Sequence, residues 1–310
     1  MAPLRIGTRA SALARWQANW VADRLAETSG VRPELVLITT SGDEGSPTAV
    51  VPGAGSQPGV FTKEIQRALL AGEVDLAVHS LKDLPTEGVA GLALGAVPER
   101  EMPADVLVAR DGLAFAQLPE SAVIGTGSLR RRANLLHARA DLRLADIRGN
   151  VDTRLAKLAA GHYDAIVLAH AGLKRLGLAE RVTQVLPFDL ILPAVGQGAL
   201  GIECRADDAP TRQRLAALNH PSTQAAVLAE RELLATIGGG CLAPVGALAE
   251  PGSDDSLRLR ATVCSVDGRV KLTAEATAAQ SDPQALGRTV AEKLLAQGAA
   301  ELIRACRGPG

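Results

Sequence analysis

The stretch VIGTGSLRRRANLLHARADLRLADIRGNVDTRLAKLAAGHYDAIVLA, residues 123–169, decides the fold class. Val123 to Gly125 is a short apolar run closed by glycine, and Ser128 to Ala138 continues as a helix. Leu142 to Ile147 reads as a second strand, Val151 to Ala160 as a second helix, and Ala165 to Ala169 (AIVLA) as a buried strand. Strand, helix, strand, helix, strand implies a parallel sheet with right-handed crossovers. Val106 to Ala109 adds a strand ahead of this unit, which ends near Pro193.

The same alternation precedes it. Leu4 to Ile6 is a strand, and Ser11 to Leu25 a helix with Leu13, Trp16, Trp20, Val21 and Leu25 near helical spacing. Glu34 to Thr39 is a strand, residues 41–60 a Gly-, Ser- and Pro-rich loop, Phe61 to Ala71 a helix and Val74 to Val78 a strand. Around Gly201 to Cys204 the chain reads as a strand returning to this first unit. Two α/β lobes joined by two crossings enclose a cleft, a usual ligand site. The C-terminal part differs. LRLRATVC at 257–264 alternates with period two, Val266-Asp267-Gly268-Arg269 signals a hairpin, and VKLTAEA is its partner strand. Asp282-Pro283 then opens an Ala- and Leu-rich helix, making a smaller α+β domain.

With 310 residues the chain has room for two or three domains. Only 2% of residues are aromatic, so aliphatic side chains must fill the core. Lys and Arg number 33 against 34 Asp and Glu, which leaves no global charge to attract nucleic acid or an anionic membrane. Arginines at 5, 9 and 15 interrupt the apolar run that a signal peptide needs, and no stretch is long enough for a membrane helix. A cytoplasmic protein is expected. Cys204, Cys241, Cys264 and Cys306 fit neither a zinc site nor a disulfide framework, so no metal is expected. Buried, inert thiols are the default.

Six segments could carry chemistry. In GTGSLRRRANLL (125–136) a glycine-bearing turn leads into a helix whose first turn holds Ser128, Arg130 and Arg131, an arrangement suited to anions. By position alone this is a solvated basic helix face; positive charge there opposes the helix dipole, however, and that misplacement also fits an anionic ligand. IRGNVDTRLAKL supplies Arg148 and Arg154, AGLKRLG supplies Arg175, and RIGTRAS supplies Arg9 and Ser11. Cationic and hydroxyl groups just past strand ends imply a ligand rich in carboxylates or phosphates. VDLAVHSLKDLPT delivers His79, Ser80, Lys82 and Asp83 to a loop, where the acid could steady a developing cation. His79 reads as a hydrogen-bonded structural residue. IGGGCLAPVG (237–246) is either a plain glycine turn or a loop that bares Cys241, whose accessible thiol could then tether an acidic intermediate.

In order and spacing these segments resemble the porphobilinogen deaminases, from Leu4 to about Gly246. GTGSLRR is similar to the family's GTSSLRR, VHSLKDLP to VHSxKDxP and RGNVDTRL to RGNxxTRL; AGLKRLG, LPAVGQGALGIE and GGGCLAPVG agree closely. The resemblance implies two lobes like those of type II periplasmic binding proteins, with boundaries at 1–98 plus 199–216 and at 104–192, and a C-terminal α+β domain over 221–310. It implies a monomeric transferase that condenses four porphobilinogen molecules head to tail, with loss of ammonia, to hydroxymethylbilane. It further implies a dipyrromethane cofactor held as a thioether on Cys241, with Lys82, Thr126, Ser128, Arg130, Arg131 and Gln197 around it. Asp83 is the implied catalytic acid, and Arg9, Ser11, Phe61, Arg148, Arg154 and Arg175 the implied substrate contacts.

The sequence departs from the family at three places. Gln57-Pro58-Gly59-Val60-Phe61 replaces GKGLF, so Pro58 stands for a lysine; Gly127 stands where serine is common; and Met102, in EREMPAD, stands where an aspartate is usual. Two other readings compete. A solute receptor without catalysis gives Cys241 and Asp83 no role. A cysteine-dependent acyl transferase needs a histidine base, and His79 is the one in a candidate loop.

Overall fold

The computed structural model describes residues 3–40, 62–240 and 243–306. Along the chain run β1 (Arg5–Thr8), α1 (Ala12–Ser29), β2 (Glu34–Leu37), α2 (Lys63–Leu70), β3 (Leu76–Ser80), β4 (Leu92–Ala96), β5 (Asp105–Ala109) and β6 (Val123–Gly125). Next come α3 (Leu129–Ala138), β7 (Arg143–Ala145), α4 (Val151–Ala159), β8 (Ala165–Ala169), α5 (His170–Arg175), β9 (Gln184–Val185) and β10 (Leu200–Arg205). The rest is α6 (Ala209–Ala216), α7 (Pro221–Thr236), β11 (Val245–Pro251), β12 (Ser256–Cys264), β13 (Lys271–Ala279), α8 (Pro283–Ala296) and α9 (Ala299–Ala305).

Several helices start where a short polar side chain can accept from a free N–H of the first turn. Ser11 caps α1, Ser128 caps α3, Asn150 caps α4 and Asp282 caps α8. Each such cap contributes about 1 kcal/mol. The two strands bounded by glycine or by apolar uniformity, Val123–Gly125 and Ala165–Ala169, form over the residues expected.

The chain divides into two compact units, Met1–Glu101 with Ala199–Gln224, and Met102–Gly198 with Ala225–Gly310. In the first, the sheet order is β2-β1-β3-β10-β4. β1 is parallel to β2 and β3, whereas β10 is antiparallel to both β3 and β4. The sheet is therefore mixed, where alternation of strands and helices alone had implied a parallel one. The expected returning strand does enter this unit, and its direction is what breaks the pattern. Ile6, Val21, Leu25, Leu76 and Ile202 centre its core.

In the second unit the sheet order is β7-β6-β8-β5-β9, again with three parallel strands and an antiparallel fourth, β5, against β8. The same unit holds the antiparallel meander β11-β12-β13, with Leu286, Val290 and Leu294 of α8 in its core. Two glycines set its packing. At Gly268, φ +75°, a Cβ would lie 2.6 Å from the backbone nitrogen of His137, so the hairpin tip sits on the end of α3. At Gly246 a Cβ would lie 2.7 Å from the carbonyl oxygen of Leu192.

Candidate functional site

In the first unit, β1 ends at Thr8, so Arg9 and the capping residue Ser11 follow directly at the start of α1. β3 ends at Ser80 and turns through a 3-10 segment, Leu81–Asp83, pinned by the Leu81 N–H donating to Ala199 O at 3.0 Å. These two strand ends are neighbours through the β1–β3 pairing. Arg9, Ser11, Gln17, His79, Ser80 and Asp83 consequently line one pocket, with Asp83 exposed at its edge. Gln17, 2% exposed, donates from Nε2 to Ser80 Oγ at 2.8 Å. Lys82 is half-buried beside Asp83.

Behind this pocket lies a buried polar pair. His79 Nε2 stands 2.9 Å from Glu203 Oε2, an ion-pair distance, although the contact is off the line of a regular hydrogen bond. Gln66 Nε2 reaches both Glu203 oxygens, at 3.2 and 3.1 Å. The sequence reads His79 as a hydrogen-bonded structural residue; it is buried beside an acid, but its Nε2 lacks the regular hydrogen bond.

In the second unit, Arg130 and Arg131 of the first turn of α3 are 4% and 6% exposed. Both bind Asp105, the first residue of β5. Arg130 Nη1 donates to Asp105 Oδ2 at 2.7 Å, and Arg131 Nε and Nη2 donate to Oδ1 at 3.0 and 2.7 Å. Burial pushes the Asp105 carboxyl upward. The charges of Arg130 and Arg131 and their hydrogen bonds outweigh burial and hold it well below the usual carboxylate range. Burial, with Arg131 beside it, draws Arg130 below its ordinary value against the pull of Asp105. The cations at the start of α3 thus already have a protein anion opposite them. Their unfavourable place on the helix dipole, read from sequence as a sign of ligand, is explained by Asp105.

Gln197, 1% exposed, joins the same cluster. Its Nε2 donates to Pro103 O at 2.7 Å and to Asp105 Oδ1 at 2.9 Å. Thr126 is buried, and its Oγ1 accepts from the Ser128 N–H at 3.2 Å. The other arginines are placed differently. Arg148 is exposed, 4.0 Å from Asp146 Oδ2. Arg154 donates to Gly149 O at 2.8 Å, and Arg175 to Gly198 O at 2.7 Å. None of these three bonds Asp105, so the unit's cationic residues form one buried pair and a set of more open positions.

Cys204 and Cys264 are fully buried, and burial pushes their thiols up, that of Cys264 to about 11. Cys306 is half-buried with its thiol also raised by burial. The default of buried, inert thiols fits Cys204 and Cys264, whereas Cys306 is only partly covered. Cys241, Phe61 and Pro58 lie outside the described residues. Sequence reading missed Asp105, Gln17 and Glu203. Asp105 belongs to the quoted EREMPAD segment, and an aspartate opening the apolar run DVLVA was the available signal.

A family model described as "Porphobilinogen deaminase, dipyromethane cofactor binding domain" matches residues 4–213, and one for the porphobilinogen deaminase C-terminal domain matches residues 224–296. Proteins named porphobilinogen deaminase are similar along nearly the whole chain. That of Geobacter sulfurreducens is 50% identical over 97% of this chain and 93% of its own length. That of Moorella thermoacetica is 48% identical, covering 98% and 96%. That of Thermobifida fusca is 49% identical, covering 97% and 96%. Among solved structures, the methionine binding protein MetQ aligns at TM-score 0.43 and 13% identity, over 69% of this chain and 89% of that one.

Proposed function

The chain belongs to the porphobilinogen deaminase family, and we propose that Asp83 and the arginines of its two units carry that family's reaction here. The enzyme condenses four porphobilinogen molecules head to tail, releasing ammonia at each addition, and yields hydroxymethylbilane for tetrapyrrole synthesis. The residues present fit the cofactor: a dipyrromethane bears acetate and propionate groups, and α3 opens with Ser128, Arg130 and Arg131. When bound, that group supplies the nucleophilic pyrrole carbon on which the chain grows. Its thioether is assigned to Cys241.

Loss of ammonia from porphobilinogen leaves an electron-poor azafulvene that is cationic when protonated on nitrogen. Arg9 and Ser11 hold the substrate's carboxylates, and Phe61 is assigned as a further substrate contact. Asp83 accepts hydrogen bonds from pyrrole N–H groups and offsets the cation that develops there. Lys82, Thr126, Ser128, Arg130, Arg131 and Gln197 are assigned as cofactor contacts, and Arg148, Arg154 and Arg175 as contacts for the carboxylates of later rings. We assign three domains, over 1–98 with 199–216, 104–192 and 221–310, and a monomeric, cytoplasmic enzyme with neither nucleic acid nor membrane as partner.

The single observation supporting this reading is that Arg9, Ser11 and Asp83 line one pocket, so a carboxylate receptor and an acid flank the same volume. Asp83→Asn keeps shape and removes charge. It should retain the dipyrromethane mass on Cys241, found by peptide mapping, and almost stop ammonia release in a single turnover. Near-normal release, or an adduct on another cysteine, would sink the respective assignment.

A further inference from the structure

The Asp105 cluster has more order than a buried ion pair needs. Asp105 is 1% exposed and accepts from Arg130, Arg131 and Gln197. Each guanidinium has a second anchor on backbone: Arg130 Nη1 donates to Leu192 O at 2.6 Å and Arg131 Nη1 to Val167 O at 2.9 Å. Both arginines are therefore fixed before any ligand arrives. Among the described residues, Arg130 commits only Nη1 to these bonds, leaving Nε–H and the Nη2 donors for another acceptor. Two cations face one anion, so the cluster carries one net positive charge.

We propose that Asp105 is a positioning residue that sets the grip of Arg130 and Arg131 on pyrrole carboxylates, orienting both guanidiniums while cancelling one of their two charges. The proposal rests on the reading that these arginines face the pyrrole chain. Its logic is competition. A ligand carboxylate and Asp105 seek the same donors, and in a buried site an unopposed arginine pair would hold a carboxylate far more tightly than one net charge does. Each added pyrrole brings two more carboxylates, and the finished chain must leave. A cluster that is rigid but only singly charged selects the carboxylate by geometry and still releases it. Fixing the guanidiniums in advance also lowers the ordering cost of each new contact.

The test is a charge series made as holoenzymes: Arg131→Gln (net zero), wild type (plus one), Asp105→Asn (plus two) and the double variant (plus one). Reactions are quenched during turnover, and intact mass gives the distribution of bound chain lengths. Product release is followed in parallel. The fraction of enzyme carrying the longest chains should rise several-fold from Arg131→Gln through wild type to Asp105→Asn, and the double variant should return toward wild type. A merely structural Asp105 would lower the melting temperature of Asp105→Asn and leave the chain-length distribution unchanged, which overturns the proposal. Loss of the primer from folded Asp105→Asn overturns it too, because grip would then have fallen. If Asp105→Asn does not fold, Arg131→Gln and the double variant still differ by one charge on the same single arginine. Equal distributions in those two overturn the proposal. An Arg130→Gln holoenzyme with normal primer content and wild-type release would remove the underlying reading of the arginines as well, a result distinct from failure of the charge series.

Discussion

Replacing Gly246 by alanine probes the bond between the C-terminal meander and the arginine cluster. Gly246 pairs with Thr262 on β12, and its added Cβ would sit 2.7 Å from Leu192 O and 2.9 Å from Leu192 Cβ. Backbone cannot swing aside as a side-chain tip can, so the peptide around Leu192 must shift. Leu192 O is the acceptor for Arg130 Nη1 at 2.6 Å, and the adjoining Pro193 O accepts from the Ala247 N–H at 2.9 Å. Overpacking of this kind costs about 1–3 kcal/mol. Weakening a hydrogen bond from a buried charged donor adds about 1.5–3 kcal/mol. The expected loss is about 2.5–6 kcal/mol, a large part of the ~5–15 kcal/mol that a folded domain has. Urea unfolding of Gly246→Ala measures the loss. Gly88→Ala is the control, since a Cβ there meets nothing within 4 Å. Intact mass reports whether displaced Arg130 lowers primer content. A midpoint matching the control would refute the reasoning, because the carbonyl of Leu192 would then be free to move.

Two further outcomes follow from buried groups. Of the three described thiols, alkylation of the native protein at neutral pH should modify Cys306 first, with Cys204 and Cys264 reacting only after unfolding; early labelling of Cys264, whose thiol burial raises to about 11, would contradict its place in the core. Asp75 is pushed upward by burial but held below the ordinary 3.8 by hydrogen bonds from Arg5, so its stabilising contribution is complete above 3.8 and drains as pH falls toward the lower folded value; Asp75→Asn should flatten the acid limb of the stability curve, and an unchanged slope would show that Arg5 and Asp75 do not couple in solution.

Local pattern made the central strands and helix starts legible. Apolar runs ended by glycine marked Val123–Gly125, and short polar caps marked α3 and α8. Pattern was weakest where burial is not one-sided. α7 carries Ala225, Ala226, Val227, Ala229 and Leu233 among its buried residues, a spread around the helix that blurs the periodic signal. Leu92–Ala96 (LALGA) is a strand with no polar residue to alternate with its apolar ones, and it too went unread. Strand direction has no periodic signature, so β10 and β5 could be foreseen as strands but not as antiparallel ones. The candidate site divides the same way. Arginines after strand ends could be read from sequence, whereas their anion could not, since Asp105 precedes Arg130 by 25 residues and acts only through the fold.

The antiparallel fourth strand has a chemical consequence in both units. β10 brings Glu203 to His79 at the end of β3, and β5 brings Asp105 to Arg130 and Arg131 at the start of α3. In each case a carboxylate less than a tenth exposed meets the polar residues that lead into the candidate site. A buried carboxylate persists only with donors or a cation around it. Its presence therefore forces the neighbouring side chains into one geometry: Gln66 and His79 in the first unit, two arginines and Gln197 in the second. A parallel fourth strand would run the other way. Residues now opposite the site-bearing ends of β3 and β8 would then lie at their far ends. Gly201 pairs with His79, and Asp105 with Ala169, only because β10 and β5 run against their neighbours. The mixed sheet is thus what lets an acid from a distant part of the chain fix the groups at a strand's functional end, and it does so twice.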